Sequence, residues 1–313
     1  MSIWLVGCGP MARSYAQVLG DVGVDVRVVG RSEASAASFE AEVGVEVARG
    51  GLEAALTHHP SPELAIVSVG IGELADATRR LVEAGCGRVL AEKPGGLDSV
   101  QVAEVAAAAA ATGADVLVAY NRRYYGSVAA ARNLIESDGG VASLRFEFGE
   151  RLDSVLDGRF PASVLRRWFL ANSTHPVDLA FHLAGRPTEL EVECSGGLDW
   201  HPSGSTFRGR GRTSSGATFG YEADWRTSGS WVVEVATERR RLLFQPLETL
   251  RQVVDGVEEE VEQVDDLDRR FKPGLHRQVT AFLDGDDSLA CTIAEQVVNC
   301  HDYDRIAGYG QVR

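Results

Sequence analysis

The sequence predicts an α/β protein in which a doubly wound parallel sheet is followed by a second, mixed domain built on antiparallel strands. Two observations predict it. From residue 1 to about 120, short Val-rich apolar runs alternate with longer stretches of helical period, as strands buried on both faces and their crossover helices require. After Tyr124 the apolar residues alternate at period two instead, the pattern of strands with one face in water.

In the first region the strands fall at Ile3 to Val6, Val26 to Val29, Leu64 to Val69, Arg88 to Ala91 and Val116 to Ala119. Helical stretches lie between them around 11–20, 32–43, 51–57, 72–84 and 98–112, the last with six consecutive alanines, the strongest helix formers. The second region opens with helices near 125–137 and 173–184. Alternating segments follow at Leu190 to Cys194, Ala217 to Ala223, Trp231 to Ala236 and Arg241 to Phe244, and helices near 274–284 and 291–307 close the chain. The expected division is residues 1–122 and 123–313. The acidic stretch from Asp255 to Asp268 reads as a solvated edge or loop.

The 313 residues carry a formal net charge of -14, which argues against nucleic acid or an anionic membrane as partner, because both need a basic footprint. The five cysteines, Cys8, Cys86, Cys194, Cys291 and Cys300, are odd in number and lack disulfide or zinc spacing, so no metal site is expected. With no signal-peptide core and no membrane-spanning run, a cytoplasmic setting is the expectation.

Three motifs carry chemistry. Gly7-Cys8-Gly9-Pro10-Met11-Ala12 reads G-x-G-x-x-A between a strand and a helix, where backbone donors and the helix dipole suit a pyrophosphate. Gly7 permits the turn, Gly9 lets a phosphate approach, and Ala12 keeps helix and sheet close. At the end of the second strand, Arg31 and Ser32 stand where an NAD-preferring site usually has an acidic residue. A guanidinium fork suits a 2′-phosphate, so NADP(H) is favoured over NAD(H); a surface Arg beside an ordinary helix cap, with Glu33 nearby, is the plainer reading. After the strand ending at Ala91 comes Glu92-Lys93-Pro94. Of 31 basic side chains only Lys93 and Lys272 are lysine, so Lys93 marks a position that needs an amine, which burial allows to pass a proton. Pairing of Lys93 with Glu92 is the structural alternative.

These motifs, the run Tyr120-Asn121-Arg122-Arg123-Tyr124 and the segment Asn172-Ser173-Thr174-His175-Pro176-Val177-Asp178 together resemble the glucose-fructose oxidoreductase / inositol dehydrogenase / rhizopine catabolism (Gfo/Idh/MocA) family over nearly the whole chain. The run from Arg167 to Gly185 is similar to members found with surface-polysaccharide and nucleotide-sugar pathways. The resemblance implies a Rossmann domain, a second domain with a large open sheet often used for subunit contacts, hence a homodimer or homotetramer, and hydride transfer at a hydroxyl or keto carbon of a sugar, sugar derivative or cyclitol. By position it implies Lys93 and His175 as catalytic, Asp178 as the acid three residues beyond the histidine, and Asn121 close to the nicotinamide end. One departure stands out: many members have an Asp four residues before the histidine, where this chain has Ala171, with Asn172 beside it. An amide hydrogen-bonds but cannot share a proton as a carboxylate does.

His175 titrates near neutral pH and suits proton uptake as hydride leaves. Asn172, Asp178, Arg167 and Tyr124 are candidates to hold the substrate, the arginine by a bidentate grip on an anionic group and the tyrosine by stacking. His182 reads as structural. Two rivals share the fold: a cofactor-binding regulator or sensor, favoured by Ala171, and a lyase or hydrolase that uses nicotinamide transiently.

Overall fold

The computed structural model describes residues 2–262 and 266–310, so residues 263–265 of the acidic stretch lie outside the described residues. The chain divides into two compact units, residues 1–121 with 267–298, and residues 122–266 with 299–313.

The first unit runs β1 (Ile3–Val6), α1 (Pro10–Asp21), β2 (Val26–Val29), α2 (Glu33–Val43), β3 (Val47–Ala48), α3 (Gly51–His58), β4 (Leu64–Val67), α4 (Ile71–Glu83), β5 (Arg88–Glu92), α5 (Ser99–Thr112) and β6 (Asp115–Ala119). The second follows with a 3₁₀ turn (Asn121–Tyr124), α6 (Gly126–Ser137), β7 (Ser143–Phe148), α7 (Leu152–Val155), α8 (Ala162–Leu165), a π-helical turn (Phe169–Ser173) and α9 (Thr174–Ala184). Its strands continue as β8 (Pro187–Ser195), β9 (Thr206–Thr213), β10 (Thr218–Asp224), β11 (Trp231–Ala236), β12 (Arg241–Phe244), β13 (Arg251–Val254) and β14 (Val257–Glu260). The chain ends with α10 (Leu267–Arg270), α11 (Leu275–Asp284), β15 (Cys291–Thr292) and α12 (Ile293–Ala307).

In the first unit the sheet order is β15-β6-β5-β4-β1-β2-β3, parallel except for β15. The order reverses between β1 and β4, and the carboxyl edge there is where open α/β sheets leave a crevice. The strands β1 and β4 are buried at every residue, as the continuous apolar runs require. Residues 267–298, which the sequence division assigns to the second domain, belong with this unit. The reason is apolar: Leu275, Val279 and Phe282 of α11 are buried in the same core as Tyr15 and Leu19 of α1.

The second unit carries an eight-stranded sheet, β14-β13-β12-β11-β7-β10-β9-β8, antiparallel except for the β7–β10 pair. Leu144, Phe146 and Phe148 of β7 point to one buried face, and α9 lies against it with Phe181 edge-on to Phe146 at 5.5 Å between ring centres. Gly209 and Gly211 are required on that face, since a Cβ at either would run into the rings of Tyr221 and Phe219. The opposite face is charged, with Arg145–Glu222 and Arg210–Glu191 pairs across neighbouring strands. The edge strand β14 is exposed throughout, in line with the solvated reading of the acidic stretch.

Candidate functional site

In the first unit the loop after β1 is shaped by Gly7, whose φ of 122° is open to glycine and whose missing Cβ would stand 2.2 Å from the Ser68 carbonyl oxygen. Gly9 precedes α1, and nothing lies within 4 Å of where its Cβ would be. Pro10 begins the helix, and no side chain caps it. The first-turn donors of α1, at Met11 and Ala12, are therefore left for an anion. Ala12 is fully buried, so helix and sheet stay close. The chain fits a dinucleotide's pyrophosphate at this end.

A cleft of about 420 Å³ opens beside this loop at the ends of β1, β2 and β4, lined among others by Gly7, Val29, Arg31, Gly51 and Glu73. Arg31 is largely exposed and donates to Glu73 Oε1 at 2.5 Å. Glu33, the anion nearest in sequence, is instead held by Arg49 at 2.7 Å. Ser32 is the cap of α2, its hydroxyl accepting from the Ser35 N–H at 3.4 Å. Glu73 is what sequence reasoning missed here, because 42 residues separate it from Arg31.

At the end of β5, Glu92 accepts a hydrogen bond from the Tyr15 hydroxyl at 2.7 Å, and burial raises its pKa. The positive charges of Lys93 and Lys272 work against that rise, so the only two lysines of the chain share one carboxylate as neighbour. Neighbouring backbone is pinned by amides. Gln296 of α12 donates to the Pro94 carbonyl and to the Tyr120 hydroxyl, both at 3.1 Å, and Asn121 donates to the Pro273 carbonyl at 2.9 Å. The scarcity of lysine already singled out Lys272; its closeness to Glu92 becomes visible only in the fold.

In the second unit His175 is buried in the first turn of α9, with its ring 5.7 Å from that of Trp231. Trp231 borders a pocket of about 480 Å³ that Arg122, Glu150, Trp168, Asn172 and Glu248 also line. The Arg122 guanidinium lies over the Trp231 ring at 5.0 Å. Of the candidates for substrate contact, Asn172 lines this pocket. Asp178 is buried elsewhere in the unit, held bidentately by Arg123 at 2.6 and 2.9 Å. Arg167 stacks on Tyr309 at 4.6 Å, and Tyr124 is buried; neither is among the pocket-lining residues. His182 is partly buried, its pKa pushed down to about 3 by desolvation and by Arg123 and Arg132. The residues that reasoning from sequence missed are Glu150 and Trp231, whose places depend on long-range strand pairing.

Residues 1–120 match the family model described as "Oxidoreductase family, NAD-binding Rossmann fold" (GFO_IDH_MocA). The match spans the first unit's parallel strands and their crossover helices, the NAD-binding part of that family's model. No curated protein matches the chain in sequence. Among solved structures, the NAD binding oxidoreductase from Klebsiella pneumoniae is similar to it with a TM-score of 0.78 at 16% identity, covering 100% of this chain and 97% of the other. The UDP-N-acetylglucosamine 3-dehydrogenase GnnA from Acidithiobacillus ferrooxidans is similar with a TM-score of 0.75 at 14% identity, covering 99% and 97%. A levoglucosan dehydrogenase in complex with NADH and levoglucosan is similar with a TM-score of 0.77 at 15% identity, covering 99% and 96%. At these identities the likeness shows the fold alone. Among the described residues no helix is long and apolar enough to cross a membrane.

Proposed function

We propose that the chain is an NADP(H)-dependent oxidoreductase that transfers hydride between nicotinamide and a hydroxyl or keto carbon of a sugar, sugar derivative or cyclitol. The observation that carries the reading is the uncapped start of α1 behind Gly7 and Gly9, in a turn where a Cβ at Gly7 would run into the Ser68 carbonyl. The dinucleotide, when bound, supplies the hydride chemistry. The α1 backbone holds its pyrophosphate, and Arg31 takes a 2′-phosphate. Glu92 and Asn121 hold the edge of the sheet on which Lys93 stands.

The protein's own work is orientation and proton movement. Lys93 and His175, the latter buried beside Trp231, relay the hydroxyl proton as the carbon is oxidised; in reduction the flow reverses. Asn172 binds the substrate from the pocket wall, while Asp178, through Arg123, holds α9 and with it His175. The dehydrogenases among the structural neighbours support a sugar-like substrate. The reading includes a cytoplasmic homo-oligomer joined through the charged face of the open sheet, which light scattering after gel filtration tests.

The Arg31–Glu73 pair favours a second reading of the cofactor, NAD(H), because Arg31 must leave Glu73 to grip a phosphate. Separate titrations with NADPH and NADH decide it: equal affinity contradicts the NADP(H) preference. A panel of ketosugars, sugar phosphates and nucleotide-sugars followed by cofactor absorbance tests the activity. Silence across the panel would favour a cofactor-binding regulator instead.

A further inference from the structure

No acidic side chain lies in the segment Phe169–Thr174 that leads into His175, yet a carboxylate reaches it from another part of the second unit. Glu150 follows β7 and is 4% exposed. It receives the Ser173 hydroxyl at 2.6 Å on Oε1 and the Asn172 Nδ2 at 3.2 Å on Oε1 and 2.9 Å on Oε2. Its backbone is fixed by an unusually close approach: a Cβ on Gly149 would stand 2.5 Å from the Gly229 Cα, and Gly149 donates to the Ser230 carbonyl at 3.1 Å. Glu150 and Asn172 both line the 480 Å³ pocket.

We propose that Glu150 is the positioning residue that sets the hydrogen-bonding polarity of this pocket, turning Asn172 so that its carbonyl oxygen accepts a hydroxyl of a polyhydroxylated substrate. This deepens the reading above and rests on it for the substrate class. A carboxylate takes only donors, so the Asn172 amide nitrogen must face Glu150, and what Asn172 offers the pocket is Oδ1. The Ser173 hydroxyl, spent on the same carboxylate, prevents Glu150 from turning away. The wall thereby selects a ligand that donates there, an alcohol, over one whose oxygen only accepts.

The test uses the full chain and the intrinsic fluorescence of Trp168 and Trp231, which line the pocket. Levoglucosan, myo-inositol and UDP-N-acetylglucosamine are titrated, each beside singly deoxygenated analogues, in wild type and Glu150→Gln. Wild type should bind at least one parent compound, and roughly tenfold more weakly the analogue that lacks the bonded hydroxyl. Glu150→Gln can donate to Asn172 and turn its amide round. It should lose that discrimination, weaken parent binding by roughly tenfold and keep NADPH affinity, whereas a merely structural role would leave the parent-to-deoxy ratio intact. Should Glu150→Gln fail to fold, Asn172→Ala keeps the Ser173–Glu150 bond and is expected to show the same loss. Unchanged discrimination in the variant, or no parent compound bound by wild type, overturns the proposal. Cofactor absorbance recorded in the same cuvettes separates the two levels. Discrimination present in wild type and lost in Glu150→Gln, without any absorbance change, upholds Glu150 and contradicts the oxidoreductase.

Discussion

The candidate residues of each unit depend on single atoms whose presence or absence has a calculable effect. Gly7→Ala places a methyl against the Ser68 carbonyl at a φ that L-residues rarely adopt, so it should lower stability by about 2 kcal/mol and abolish tight NADPH binding, read by melting and by NADPH fluorescence. Glu73→Ala frees Arg31 and should tighten NADPH roughly tenfold while leaving NADH unchanged; Arg31→Ala should do the reverse to NADPH alone. Lys93→Met and His175→Ala should each slow hydride transfer by about 10²-fold or more with cofactor binding intact, and full activity in either variant removes that residue from the mechanism. The glycine loop after β1 was legible in the sequence because its residues are contiguous. Glu73, Glu150 and Trp231 were not, since each meets its partner only after strands distant in sequence have paired. Chemistry alone likewise does not reveal that Asp178 is taken by Arg123, as a carboxylate next to a histidine looks the same whether it faces substrate or an arginine.

The π-helical turn Phe169–Ser173 and α9 are the elements on which His175 rides, and a buried histidine anchors the former. His201 is fully buried, its Nδ1–H donating to the Gly204 carbonyl at 2.8 Å and its Nε2 accepting from the Tyr309 hydroxyl at 2.9 Å, while the Phe169 N–H donates to that hydroxyl oxygen at 3.3 Å. Burial lowers its pKa to about 4, and His182 on α9 is lowered further, to about 3. Both rings are therefore neutral in the folded state where the unfolded chain, titrating near 6.5, takes up protons. Their contribution to stability is complete above pH 6.5 and is lost as pH falls toward 4. Between pH 7 and 5 each should cost about 2 kcal/mol, measured as a falling urea midpoint, and His201→Phe should flatten part of that slope. A slope unchanged by that substitution contradicts the assignment. Strand periodicity made β8, β10, β11 and β12 readable in sequence. β7 alternates as clearly, with Leu144, Phe146 and Phe148 inward, but β9 hides behind Gly209 and Gly211, which bring no apolar side chain to its buried face.

At the scale of the molecule, the fold class was readable because buried parallel strands and half-exposed antiparallel ones leave different periods in the chain. The assignment of residues 267–298 was not, since an amphipathic helix such as α11 does not state which core it will cover. Leu275, Val279 and Phe282 complete the core beside α1, so Phe282→Ala should destabilise the first unit by about 3 to 5 kcal/mol, and a fragment of residues 1–121 alone should fail to bind NADPH. Tight NADPH binding by that fragment would contradict the role given to α11. The central claim is net hydride transfer between a nicotinamide and a sugar carbon, and the most direct measurement follows the hydrogen itself. The protein is incubated with C4-deuterated NADPH and the keto form of the best substrate from the panel, and the product is analysed by mass spectrometry. The account predicts one deuterium at the reduced carbon with a matching loss of cofactor absorbance; a product without deuterium, formed while the cofactor returns to its starting absorbance, would contradict it.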